Sequence, residues 1–109
     1  MSRTVCLALV TCPHERAADL AGALVEQRHA ACVNIVPQVQ SVYRWKGTTQ
    51  KDPEALLIIK TAATHFEALK QAVLKLHPYE LPEVVAVNVE QGHQPYLDWV
   101  LDNVSTEKD

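Results

Sequence analysis

The stretch Ala31-Cys32-Val33-Asn34-Ile35-Val36-Pro37-Gln38-Val39-Gln40-Ser41-Val42-Tyr43-Arg44-Trp45-Lys46, with Ala55-Leu56-Leu57-Ile58-Ile59 after it, decides the fold. Val33 and Ile35 alternate with Cys32 and Asn34, Pro37 interrupts, and Val39, Ser41, Tyr43 and Trp45 resume a period of two. That is the period of a strand, here of unusual length. Proline has no N–H to give a ladder, so Pro37 marks an edge or a bulge. Gly47-Thr48-Thr49-Gln50-Lys51-Asp52-Pro53 reads as polar turn material, and Glu54 to Thr61 as the returning, antiparallel strand.

Working outward, Val5–Val10 is an unbroken apolar run of strand length, ended by Pro13. Ala17, Leu20, Ala21 and Leu24 follow the i, i+3, i+4, i+7 spacing of an amphipathic helix, with Glu15 and Asp19 in its first turns and Arg28 at its end. Beyond the hairpin, Thr64-x-x-Glu67 reads as a capping box ahead of a second helix carrying Leu69, Ala72, Val73 and Leu76. His77-Pro78-Tyr79-Glu80-Leu81-Pro82-Glu83 is a stiff loop. Val84–Val89 reads as a fourth strand, and a short helix from about Pro95 carries Tyr96, Trp99 and Val100 on one stripe. The order β-α-β-β-α-β plus a terminal helix predicts an α+β, ferredoxin-like sandwich: an antiparallel four-stranded sheet with two helices on one face. A hairpin of such long strands overhangs its shorter neighbours. Its free edges call for cover by another chain.

Several function classes are excluded by composition. The 109 residues predict one domain over 1–109, large enough for a core without disulfide staples. Ten basic residues face 13 acidic ones, for a net charge of −3, and no Lys/Arg cluster occurs. Nucleic acid is therefore not an expected partner. The first apolar run is too short to span a bilayer and no cleavage pattern follows it, so neither membrane nor export is expected. Three cysteines without C-x-x-C spacing fit a reducing, cytoplasmic compartment.

Ala30-Ala31-Cys32-Val33-Asn34-Ile35-Val36-Pro37 and Ser41-Val42-Tyr43-Arg44-Trp45-Lys46-Gly47 resemble the central signature of the CutA family of divalent-cation-tolerance proteins. Glu54-x-Leu56-Leu57-x-Ile59-Lys60-Thr61, His77-Pro78-Tyr79-Glu80-Leu81-Pro82-Glu83 and Tyr96-Leu97-x-Trp99 match it in order and separation. The resemblance implies a tight homotrimer built through the long hairpin and a part in metal tolerance, copper being the ion most often proposed. It singles out Cys32 and His77 as metal ligands. A further family cysteine aligns with Val10, and Cys12, two residues on, is its candidate substitute.

Thiolate with imidazole suits copper, with zinc not excluded. The ordering of strands puts Cys12 beside His77 at one end of the sheet and Cys32 about 20 Å away at the other. A three-ligand site then needs two subunits or two parts. Cys6 reads as a small core residue, and His14, His29, His65 and His93 as solvated surface residues. Tyr43, Trp45, Tyr96 and Trp99 are candidates for trimer packing, since no basic partners accompany them as in a base-stacking platform. Lys60, Tyr79 and Glu83 are candidates to line an inter-subunit cleft. The leading expectation is a non-enzymatic homotrimer that binds divalent metal ions. A trimeric signalling or scaffold protein of the PII type, with a small molecule in its clefts, is the alternative. No G-x-S-x-G, P-loop or paired acids speak for an enzyme.

Overall fold

Four strands and three helices follow one another in the order anticipated, and the computed structural model describes them through residues 3–104. The ends of the expected single domain, residues 1–2 and 105–109, lie outside the described residues. The elements are β1 (Val5–Cys12), α1 (His14–Glu26), β2 (Cys32–Trp45), β3 (Thr48–Ala62), α2 (Phe66–Leu76), β4 (Val85–Asn88) and α3 (Gln94–Asp102). All pairings are antiparallel, in the order β2-β3-β1-β4. This is the ferredoxin-like arrangement.

One face of the sheet is the core. Alternate residues of β1 (Ala8, Val10, Cys12) and of β3 (Ala55, Leu57, Ile59) are buried against Ala17, Leu20 and Leu24 of α1 and Leu69 and Val73 of α2, and Cys6 is buried on the same face of β1. The opposite face is open. Its rows run Val87–Leu7–Lys60–Cys32 and Val85–Leu9–Ile58–Asn34 across the four strands. Val85 and Val87 are 50% and 59% exposed, an apolar surface a folded chain does not ordinarily leave in water.

The hairpin departs from the sequence reading. Residues 47–53 are not a polar turn: β3 begins at Thr48 and pairs continuously with β2 through Trp45↔Thr48, Tyr43↔Gln50 and Ser41↔Asp52. Only Lys46 and Gly47 turn, at φ of 51° and 87°, as a two-residue turn matching strand twist demands. Pro53 is tolerated because β1 stops opposite Ala55, leaving β3 without a neighbour on that side. Seven residues of β3 thus overhang β1, about 24 Å of unsupported arm. The radius of gyration, 14.5 Å, exceeds the roughly 13 Å of a compact chain of this length. Pro37 sits in a bulge between Val36 and Val39, as anticipated.

One further reading is corrected. Thr64 and Glu67 form no capping box: residues Ala63–His65 make a 3₁₀ turn that leads directly into α2, and Glu67 bonds forward to Lys70 and Gln71. On the α3 stripe Val100 alone is buried, while Tyr96 and Trp99 stack on each other outside, ring centres 5.6 Å apart. The end of α1 is closed without glycine. Arg28 takes a left-handed conformation (φ 64°), and the N–H groups of Arg28 and His29 return to the carbonyls of Val25 and Leu24.

Candidate functional site

The end of the sheet where β1 and α2 finish is built around His77. Its chain position, directly after α2, places the ring over the last residues of β1. The Tyr79 N–H donates to Nδ1 at 3.1 Å, so Nδ1 is bare and Nε2 carries the proton, which is donated to the Thr11 carbonyl at 2.7 Å. The ring is buried and lies 4.7 Å from that of Tyr79. Both nitrogens of His77 are therefore engaged, and the histidine ties the two-proline loop to β1.

That tie positions Tyr79. Its hydroxyl donates at 2.7 Å to Glu54, a carboxylate only 7% exposed. Burial, then the Glu54 hydrogen bond and charge, push the Tyr79 phenol far above its ordinary value. Nearby, Tyr43 donates to Asp52, a bond that raises its pKa too. Between the hairpin arm and the loop lies a cleft of about 620 Å³, lined by Thr11, Tyr43, Arg44, Trp45, Glu54, Tyr79, Leu81 and Glu83 among others. Glu80 also faces it, so three carboxylates stand against one guanidinium. Such a lining suits a cationic or hydrogen-bonding guest better than an anion.

The residues singled out by sequence divide among three places. Tyr43, Trp45, Tyr79 and Glu83 meet in the cleft. Lys60 and Cys32 are cross-strand partners on the open face, with Lys60 Nζ 3.7 Å from the Cys32 sulfur and bonded to Asn34. Tyr96 and Trp99 lie on α3, whose Asp98 and Asp102 contact Arg3 and Arg28 at the other end of the sheet.

The three expected metal ligands do not converge within the single chain. Cys12 is fully buried on the core face, and Cys32 is half-exposed on the open face at an edge strand. Five residues of β1 separate their rows, about 17 Å. Cys12 does adjoin His77, whose ring reaches the Thr11 carbonyl. Burial, helped by the Glu54 carboxylate, holds the Cys12 thiol in its protonated form, and metal binding requires thiolate. No group of three or more His, Cys, Asp or Glu side chains forms a metal cage among the described residues.

Sequence reading overlooked Glu54 and Thr11, although a glutamate opening an apolar strand was a visible signal. It also misplaced two histidines. His29 and His65 are not solvated: both are half-buried, with His29 Nδ1 3.0 Å from His65 Nε2.

A ferredoxin-like chain with an overhanging hairpin and a cleft beneath it defines a recognisable class, and comparisons sharpen it. The family model of the CutA1 divalent ion tolerance protein matches residues 6–103, and the chain belongs to that family. The divalent-cation tolerance protein CutA of Thermus thermophilus is 50% identical over 96 residues, covering 87% of this chain and 93% of that protein. Mouse protein CutA is 51% identical over 98 residues, 89% of this chain; the chain spans only 55% of the mouse protein's length. Among solved structures, the Thermus thermophilus protein superposes with a TM-score of 0.90 at 47% identity, covering 93% of this chain and 99% of that one. A structure from Nostoc sp. described as a PII-like protein CutA gives 0.88 at 37% identity, covering 92% and 97%. Relatives include a chloroplastic rice protein and an archaeal structure described as periplasmic. No helix among the described residues is long and apolar enough to cross a membrane.

Proposed function

We propose that the chain acts as a non-catalytic, cytoplasmic homotrimer that binds divalent cations, copper foremost, as its part in cation tolerance. The observation that carries the reading is the unpartnered arm with the open apolar face beside it: Val42, Val85 and Val87 are at least half exposed in the single chain. Burying that surface in two neighbours offsets the cost of association. Cys32 is the donor available to copper, because its thiol alone of the three is accessible and stands on the edge strand where a second subunit would dock. Cys12 and His77 would have to leave the core and the Thr11 carbonyl to join it. Three free cysteines agree with a reducing compartment.

A second reading has a specific observation behind it. The 620 Å³ cleft, roofed by the arm, has the size of a small-molecule site, and the PII-like relative from Nostoc has the same fold. Two measurements separate these readings. Light scattering should give three times the 12.1 kDa chain mass; a monomer at micromolar concentration overturns the assembly. Calorimetry of the reduced protein with copper should show one binding component that Cys32→Ala removes, weakening with acidity because protons compete with the metal for thiolate. Binding unchanged in that variant favours the cleft reading.

A further inference from the structure

At the far end of the sheet from the cleft, His29 and His65 face each other from different elements. His29 lies in the loop between α1 and β2, and its carbonyl accepts from the buried Thr61 hydroxyl at 2.8 Å. His65 closes the 3₁₀ turn that leads into α2. The rings stand 5.3 Å apart between centres, with planes inclined by 32°. Each side chain is thus held by a different part of the backbone, and the 3.0 Å between nitrogens is set by the fold. Neither residue serves the cleft or the open face.

We propose that His29 Nδ1 and His65 Nε2 form a two-histidine site for a divalent cation of the copper or zinc class. An imidazole nitrogen sits about 2.0–2.1 Å from such a metal, so two of them subtending about 90–110° are roughly 2.9–3.4 Å apart. The observed separation already falls in that interval. Imidazole pairs favour copper and zinc over magnesium or calcium, which seek oxygen. In the neutral pair one ring donates its N–H to the other. Metal uptake needs both facing nitrogens bare, so in the neutral pair the donating ring moves its proton to its other nitrogen and no net proton is released. The charged residues flanking the pair have other partners: Arg28 reaches the Asp102 carbonyl, and Glu67 bonds Lys70 and Gln71. Among the described residues no third side-chain donor joins the pair, so water completes the coordination. This site goes beyond the copper reading above, since it uses neither Cys32 nor a second subunit.

The test uses the full chain with zinc or copper ions alone, in wild type, Cys32→Ala, His29→Gln and His65→Gln. Zinc at equimolar ratio should shift the ring resonances of His29 and His65 selectively, and substoichiometric copper should broaden them, in wild type and Cys32→Ala alike. Loss of a mere supporting partner costs a metal site about tenfold in affinity, so each glutamine variant should lose at least that much. Unmoved ring resonances, or zinc affinity unchanged in both glutamine variants, overturns the proposal. Metal binding abolished by Cys32→Ala alone overturns it too while upholding the Cys32 reading; the converse pattern separates the two failures the other way. Should a glutamine variant fail to fold, the wild-type and Cys32→Ala resonances decide.

Discussion

The Tyr79 hydroxyl and the Glu54 carboxylate, 25 residues apart in the chain, meet at 2.7 Å where the two-proline loop crosses the root of the hairpin arm. Glu54 is buried and its charge has this phenol as a named partner. Replacing Tyr79 by Phe leaves the carboxylate short of a donor and should destabilise the chain by about 1–3 kcal/mol. Urea denaturation at neutral pH measures it; a difference below a few tenths would mean that water replaces the phenol.

The same bond sets an alkaline limit. The phenol's folded pKa is raised above its unfolded value near 10. Below that value both states keep the proton and the stabilisation is complete. As pH climbs past 10 the unfolded chain releases the proton first, so stability falls through the raised folded value. Wild type should lose more stability between about pH 9.5 and 11 than Tyr79→Phe, measured by chemical denaturation at each pH. Equal losses would assign the alkaline limit to other groups.

His77→Ala removes both ring hydrogen bonds and leaves the Thr11 carbonyl and Tyr79 N–H without these partners. A loss of about 2 kcal/mol or more is expected, with faster proteolysis in the loop 77–83. Wild-type stability in this variant, together with lost copper affinity, would make His77 a ligand and not a tie.

Gly47 turns the hairpin at φ 87°, and a side chain there meets no atom but does meet backbone strain. Gly47→Ala should cost about 1 kcal/mol and lower the thermal midpoint by a few degrees.

Trp45, half-buried in the arm with Lys46 Nζ 5.8 Å above its ring, has little core of its own to enter. As an interface anchor it should be worth about 2 kcal/mol or more per subunit. Sedimentation of Trp45→Ala should show dissociation at concentrations where wild type stays assembled. An intact assembly with unchanged thermal stability would make Trp45 an ordinary surface residue.

The order of elements, and the stripe that α1 and α2 bury, were legible in the sequence because they rest on local periodicity. Val33 and Ile35 declare a strand, Leu20 and Leu24 a helix, and proline declares a bulge, whatever else the chain does. Turn chemistry was legible only in part. Gly47 was visible, but the polar run Thr48–Pro53 resembled a loop because an overhanging strand has no core to face and so no apolar alternation to show. The relationships that matter to function were decided by tertiary structure alone. Nothing local joins Glu54 to Tyr79, or His29 to His65 across 36 residues; sheet register and the path of the loops set those distances. The face on which each cysteine falls follows the same rule. Strand parity and pairing put Cys12 on the core face and Cys32 on the open one, and a single residue's shift in register would have exchanged them.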